Sequence, residues 1–165
     1  MDAAFETLQH LLTNAFPCVR TIAWDLDGTL GEMPGWDGFN MPNANDYVEP
    51  LLPILLNGLR FSTSTAHILI SRNGMFCDEM YEPSRAMFVN MGFDDAMPCF
   101  RRRAHSKVKP FVRPAEVLLI DDNLNECIAA ARDGSYAIHV KAPAMQALST
   151  NNYDIYVPIS VNSER

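Results

Sequence analysis

Short, continuous apolar runs recur along the chain, separated by stretches in which apolar residues return every three or four positions. The runs Val19–Trp24, Ala66–Ile70, Ala96–Phe100, Val117–Ile120 and Tyr136–Val140 are too short for helices and read as buried strands. Between them the spacing predicts amphipathic helices over about 2–15, 46–59, 78–90, 124–132 and 144–148. Strand–helix alternation of this kind predicts an α/β fold, a three-layer α/β/α sandwich around a five-stranded parallel sheet. In such a sheet, ligands bind beyond the carboxyl ends of the strands.

Local punctuation refines the picture. Pro17 follows the first helix, Gly92 and Gly134 follow the third and fourth, and Asn45 or Asp46 is placed to cap the second. Pro53 and Gly58 blur the second helix's limits, and Pro83 falls in the first turns of the third. Residues 31–46 are rich in Gly, Pro and Asn and read as a flap, with Trp36 and Phe39 as its anchors or as part of a lid. Residues 141–165 read as a short helix and a polar tail. No repeat or linker divides the chain, so residues 1–165 read as one domain.

Composition narrows the function classes. The net charge of −7 disfavours a general nucleic-acid or anionic-membrane surface. No apolar run reaches the roughly 20 residues of a membrane span, and the amphipathic N-terminus is unlike a signal peptide. Cys18, Cys77, Cys99 and Cys127 are scattered and form no C-x-x-C pair, and His10, His67, His105 and His139 are equally dispersed. That pattern predicts a reducing, cytoplasmic setting and no zinc.

The chemistry concentrates where strands end. Asp25 and Asp27 close the first strand, Ser71 the second, and Asp121 and Asp122 the fourth; the basic run 101–109 follows the third. Any one of these has an ordinary explanation, such as a turn, a helix cap or a solvated face. Together they fall on one sheet edge. Carboxylates without histidine or thiolate suit a hard cation such as Mg²⁺, and a hydroxyl with an ammonium suits phosphate oxygens. One carboxylate can attack phosphorus while another moves the proton.

Asp25-Leu26-Asp27-Gly28-Thr29-Leu30 resembles the first motif, D-x-D-G-T-[LV], of the haloacid dehalogenase (HAD) superfamily. Ile70-Ser71-Arg72-Asn73 resembles its second motif, and Leu118-Leu119-Ile120-Asp121-Asp122-Asn123 its fourth, so the resemblance spans about residues 19–140. It implies a Rossmann-like sheet, Asp25 as a nucleophile that becomes an aspartyl-phosphate, and Asp27 as general acid/base that also binds Mg²⁺ through its carbonyl. It implies Asp121 as a Mg²⁺ ligand and Asp122 as a second ligand or a partner behind it. Ser71, with Arg72 and Asn73 beside it, would bind phosphate. An acid at position 27 favours phosphoryl transfer over dehalogenation.

The third motif departs from the family pattern, because Lys107 and Lys109 precede Asp121 by only 14 and 12 residues, with Pro110 and Pro114 between. Ser106-Lys107 resembles the Ser-Lys of compact members, which favours Lys107 as the motif lysine and leaves Lys109 to phosphate binding. With no room for a cap domain, the chain resembles the capless, magnesium-dependent phosphatases of the superfamily. The resemblance therefore implies a Mg²⁺-dependent phosphomonoester hydrolase with an open site for a bulky substrate, such as a phosphoprotein or a nucleic-acid end. Arg101–Arg103 would favour an acidic one. The alternatives are a non-catalytic module that keeps the fold, and a phosphotransferase or acyl-loading enzyme.

Overall fold

The computed structural model describes residues 2–34, 41–99 and 106–159. Its centre is a mixed, mostly parallel sheet of six strands: β1 (Thr21–Trp24), β2 (Ala66–Ser71), β3 (Asp95–Pro98), β4 (Val117–Asp121), β5 (Tyr136–Val140) and β6 (Tyr153–Tyr156). The spatial order is β3-β2-β1-β4-β5-β6, so strand order reverses beside β1. The first five strands are parallel, and β6 runs antiparallel to β5. The helices are α1 (Asp2–His10), α2 (Leu52–Thr63), α3 (Tyr81–Met91), α4 (Leu124–Arg132) and α5 (Ala144–Ser149).

Successive strand residues feed two separate apolar cores, as the period of two in an extended chain requires. Ile22, Trp24, Leu118, Ile120, Ile138 and Val140 join a large core with residues of α1, α2, α3 and α5. Ala23, Val117, Leu119 and Ala137 join a smaller one with Cys127 and Ala130 of α4 and with Val108. Both sheet faces are covered, which is why β4 is buried at every position and carries no polar alternation.

Several boundaries depart from the sequence reading. The sheet has a sixth strand where a polar tail was expected. β6 is an edge strand with no fully buried residue, tied to β5 partly by the Lys141–Asp154 ion pair, so it lacks the apolar run of a buried strand. Neither Asn45 nor Asp46 caps α2. Asn43 caps a single 3₁₀ turn over Ala44–Asp46, and α2 begins at Leu52 because Pro53 suits only a first turn. The helix runs through Gly58, where an added Cβ would lie 3.1 Å from the ring of Phe5, so Gly58 is a close packing point of α1 on α2. The N-terminal helix ends in a π-helical turn, Leu11–Ala15. β3 starts at Asp95, one residue earlier than read, and Phe100 falls outside the described residues, as do Trp36, Phe39 and Arg101–Arg103.

The flap's two ends are described and they meet. Gly31 forms an antiparallel bridge with Val48, and the Glu49 amide donates to the Leu30 carbonyl at 3.0 Å. Only glycine fits at position 31, where a Cβ would stand 2.0 Å from the Tyr47 carbonyl oxygen.

A buried polar chain braces β1 against β2. The indole of Trp24 donates to His67 Nδ1 at 3.1 Å, so the other ring nitrogen carries the proton and faces Thr65 Oγ1 at 3.0 Å. Burial, with Arg60 adding to it and Asp94 opposing, lowers the His67 pKa from 6.5 to about 4. The unfolded chain therefore takes up this proton first as pH falls. Stability contributed by neutral His67 is complete above pH 6.5 and is lost between there and pH 4, by about 3 kcal/mol. Urea unfolding across that window should show a steeper loss for the parent than for His67→Gln; parallel losses would show that this imidazole is not the cause.

Candidate active site

The carboxyl ends of β1, β2 and β4 open into one cavity of about 440 Å³, lined by Asp25, Asp27, Ser71, Arg72, Asn73, Lys107, Asp121, Asp122, Asn123 and Glu126. It lies where strand order reverses, as expected for a doubly wound sheet. The strands deliver their terminal residues at matched heights. Trp24 is in register with Leu69 and Ile120, so the residues just beyond them, Asp25, Ile70–Ser71 and Asp121, emerge together.

Lys107 stands at the centre. Its Nζ donates to Asp25 Oδ1 at 2.5 Å and to Asp121 Oδ2 at 2.9 Å, and all three side chains are almost fully buried. No helix carries it. A turn after residue 105 does, fixed by Val108 in the smaller core and by a hydrogen bond from Ser106 Oγ to Asp133. The two candidate lysines separate here: Lys107 points into the acids, whereas Lys109 is exposed and does not line the cavity.

The first-motif loop is built around Thr29 and Gly28. Thr29 Oγ1 donates to Asp25 Oδ2 at 2.7 Å and accepts from the Asp122 amide at 3.1 Å, so one hydroxyl joins the β1 loop to the β4 loop. Gly28 has φ +84°, and a Cβ there would lie 2.1 Å from Asp122 Oδ2. Asp122 can approach Asp25 only because position 28 lacks a side chain.

Asp25, Asp121 and Asp122 offer carboxylate oxygens that all lie within 4.8 Å of one another. One ammonium does not balance them. Burial, then the charge of Asp25, pushes Asp121 up to about 8 against the pull of Lys107. Asp122 rises to about 6, through burial first and then its hydrogen bond to Asp25. Burial works against the Lys107 cation, but Asp25 and Asp121 overcome it and hold its pKa above the ordinary lysine value. An all-oxygen donor set with surplus negative charge fits a hard divalent cation.

Asp27 lines the same cavity but stands outside this cluster of three. Its carboxylate accepts from the Met33 amide at 2.8 Å and from Asn73 Nδ2 at 3.0 Å. Asn73 Oδ1 in turn accepts from the Met75 amide at 2.9 Å, which fixes which end of the amide faces Asp27. Asn73, expected among phosphate-binding groups, thus holds Asp27 by its side chain, while its backbone N–H donates to Ser71 Oγ at 3.0 Å. Ser71 is buried on the cavity wall. Arg72 lines the cavity and forms a forked ion pair with Glu126, a residue given no role in the sequence reading. Thr29 and Glu126 are the site residues missed; a hydroxyl inside the D-x-D-G-T loop was a signal for the first.

No protein-family model matches the chain, and a search of curated proteins returns no match. Among the described residues, no helix is long and apolar enough to cross a membrane.

Removing Lys107 should leave two buried carboxylates facing each other. Lys107→Met is expected to lower unfolding free energy at pH 7.5 by about 3 kcal/mol, read by urea denaturation. A change below about 0.5 kcal/mol, typical of an exposed surface substitution, would show that the acids do not depend on this ammonium.

Proposed function

We propose that the protein is a Mg²⁺-dependent phosphomonoester hydrolase of the capless HAD type, built as a three-layer α/β/α sandwich. The observation that carries this reading is the placement of Asp25: a buried carboxylate at a strand end, held by Lys107 and Thr29, next to two further acids with only that one ammonium among the three. Asp25, Asp121 and Asp122, with the backbone carbonyl of Asp27, would hold the Mg²⁺, which when bound offsets the charge of phosphate and acids alike.

The chain's own groups then divide the work. The Asp25 carboxylate attacks phosphorus, forming an acyl phosphate as the bond to the leaving oxygen breaks. Asp27, aimed by Asn73 and the Met33 amide, gives that oxygen its proton. Water then attacks the phosphorus of the aspartyl-phosphate, Asp27 takes the water's proton, and Asp25 is regenerated. Lys107, beside Asp25, supplies positive charge where phosphoryl oxygens gather, and Ser71 offers a hydroxyl on the same wall. A chain without a cap domain suits a phosphate carried on a bulky molecule, a phosphoprotein or a nucleic-acid end. A reducing, cytoplasmic setting accords with the free cysteines.

Hydrolysis of an aryl phosphate should require Mg²⁺, and Asp25→Asn should reduce kcat by at least about 10⁴-fold, the scale of loss when a covalent nucleophile is removed. Fluoroberyllate should protect the parent but not Asp25→Asn against thermal unfolding. Turnover surviving in Asp25→Asn would exclude the nucleophile assignment.

A further inference from the structure

Glu126 is the third residue of α4, the position from which a glutamate usually reaches back to the amide of the capping residue. Here that amide, of Asn123, donates to Asp121 Oδ1 at 3.0 Å. The Glu126 carboxylate instead points into the cavity. It takes Arg72 Nε at 2.6 Å and Nη2 at 3.0 Å, and its Oε2 lies 3.9 Å from Lys107 Nζ. The Glu126 side chain is only 15% exposed, so the pair is shielded in a way that ordinary surface ion pairs are not. Arg72 follows β2 and Glu126 opens α4 after β4, so the fork spans the end of β1, the strand that carries Asp25.

We propose that Glu126 is a positioning residue: it clamps the Arg72 guanidinium to the cavity wall, so that Arg72 forms part of a preset anion seat. The proposal rests on the phosphatase reading for its substrate, a phosphomonoester, and adds the residue that organises how that substrate's phosphoryl oxygens are met. The carboxylate is suited to this because a guanidinium docked on two parallel N–H···O bonds has a fixed plane. A fixed cation binds anions without first losing side-chain freedom.

The test compares the parent with Glu126→Gln, Arg72→Lys, Glu126→Ala, Arg72→Ala and the double alanine variant, all in Mg²⁺. Two quantities are read: kcat and KM on an aryl phosphate, and the calorimetric Kd of inorganic phosphate. Glutamine keeps the volume of Glu126 but sets an amide N–H against a guanidinium N–H, which breaks the fork. Glu126→Gln should raise KM and phosphate Kd by about tenfold, the loss of one charge-assisted contact, with kcat changed by less than about threefold. Arg72→Lys breaks the fork from the other side and should do the same, which keeps the question answerable if Glu126→Gln fails to fold. Because Glu126 acts through Arg72, the double alanine variant should match Arg72→Ala. Unchanged KM and phosphate Kd in the fork-breaking variants, or independent multiplication of the two alanine effects, would overturn the proposal. Should the parent show no Mg²⁺-dependent turnover, the phosphatase reading fails, while the phosphate Kd series still decides the role of Glu126.

Discussion

Everything in this site hangs on one buried ammonium. Asp25, Asp121 and Asp122 converge closely enough that their mutual repulsion would drive the β1 and β4 loops apart, and Lys107 is the group that bridges them. Buried carboxylates without a counter-charge are among the most costly arrangements a fold can hold. The rest of the local architecture follows from keeping that arrangement in register. Parallel pairing of β1 with β4 sets the height of the acids, Thr29 ties the two loops together, and the bare Cα of Gly28 gives Asp122 its space.

Lys107 reaches its place in an economical way. Among the described residues between β3 and β4 there is no α-helix, and the lysine is presented by a turn seated on Val108. One sheet face is therefore heavily covered by four helices, and the other rests on α4 and this turn. The thinner face is the one that carries both site cations' anchors, Val108 beneath Lys107 and α4 beneath Glu126.

The alternation of apolar runs and amphipathic segments made the parallel part of the sheet legible, because strands buried on both faces leave continuous apolar stretches such as Val117–Ile120. The acids were legible because those stretches stop at them. β6 was not, since an exposed edge strand needs no apolar pattern. Lys107 and Lys109 could not be separated by spacing alone; the turn that follows residue 105 buries Lys107 with Val108 and leaves Lys109 in solvent. Glu126 was hidden for a different reason: a glutamate at the start of a helix already has an adequate local explanation, and only the distance to Arg72 shows that its carboxylate is spent elsewhere.

The pinch at Gly31 and Val48 separates two properties that are often entangled. With the excursion closed at its base, and Met33 just inside it holding Asp27, the sheet and its acids sense these anchored ends and not the number of residues strung beyond them, since closing a loop costs little more as it lengthens. The chain thus has a natural splice point between two anchored ends. A module grafted between residues 33 and 43 would leave the strands that aim Asp25 untouched, so that new sequence can be carried there independently of folding.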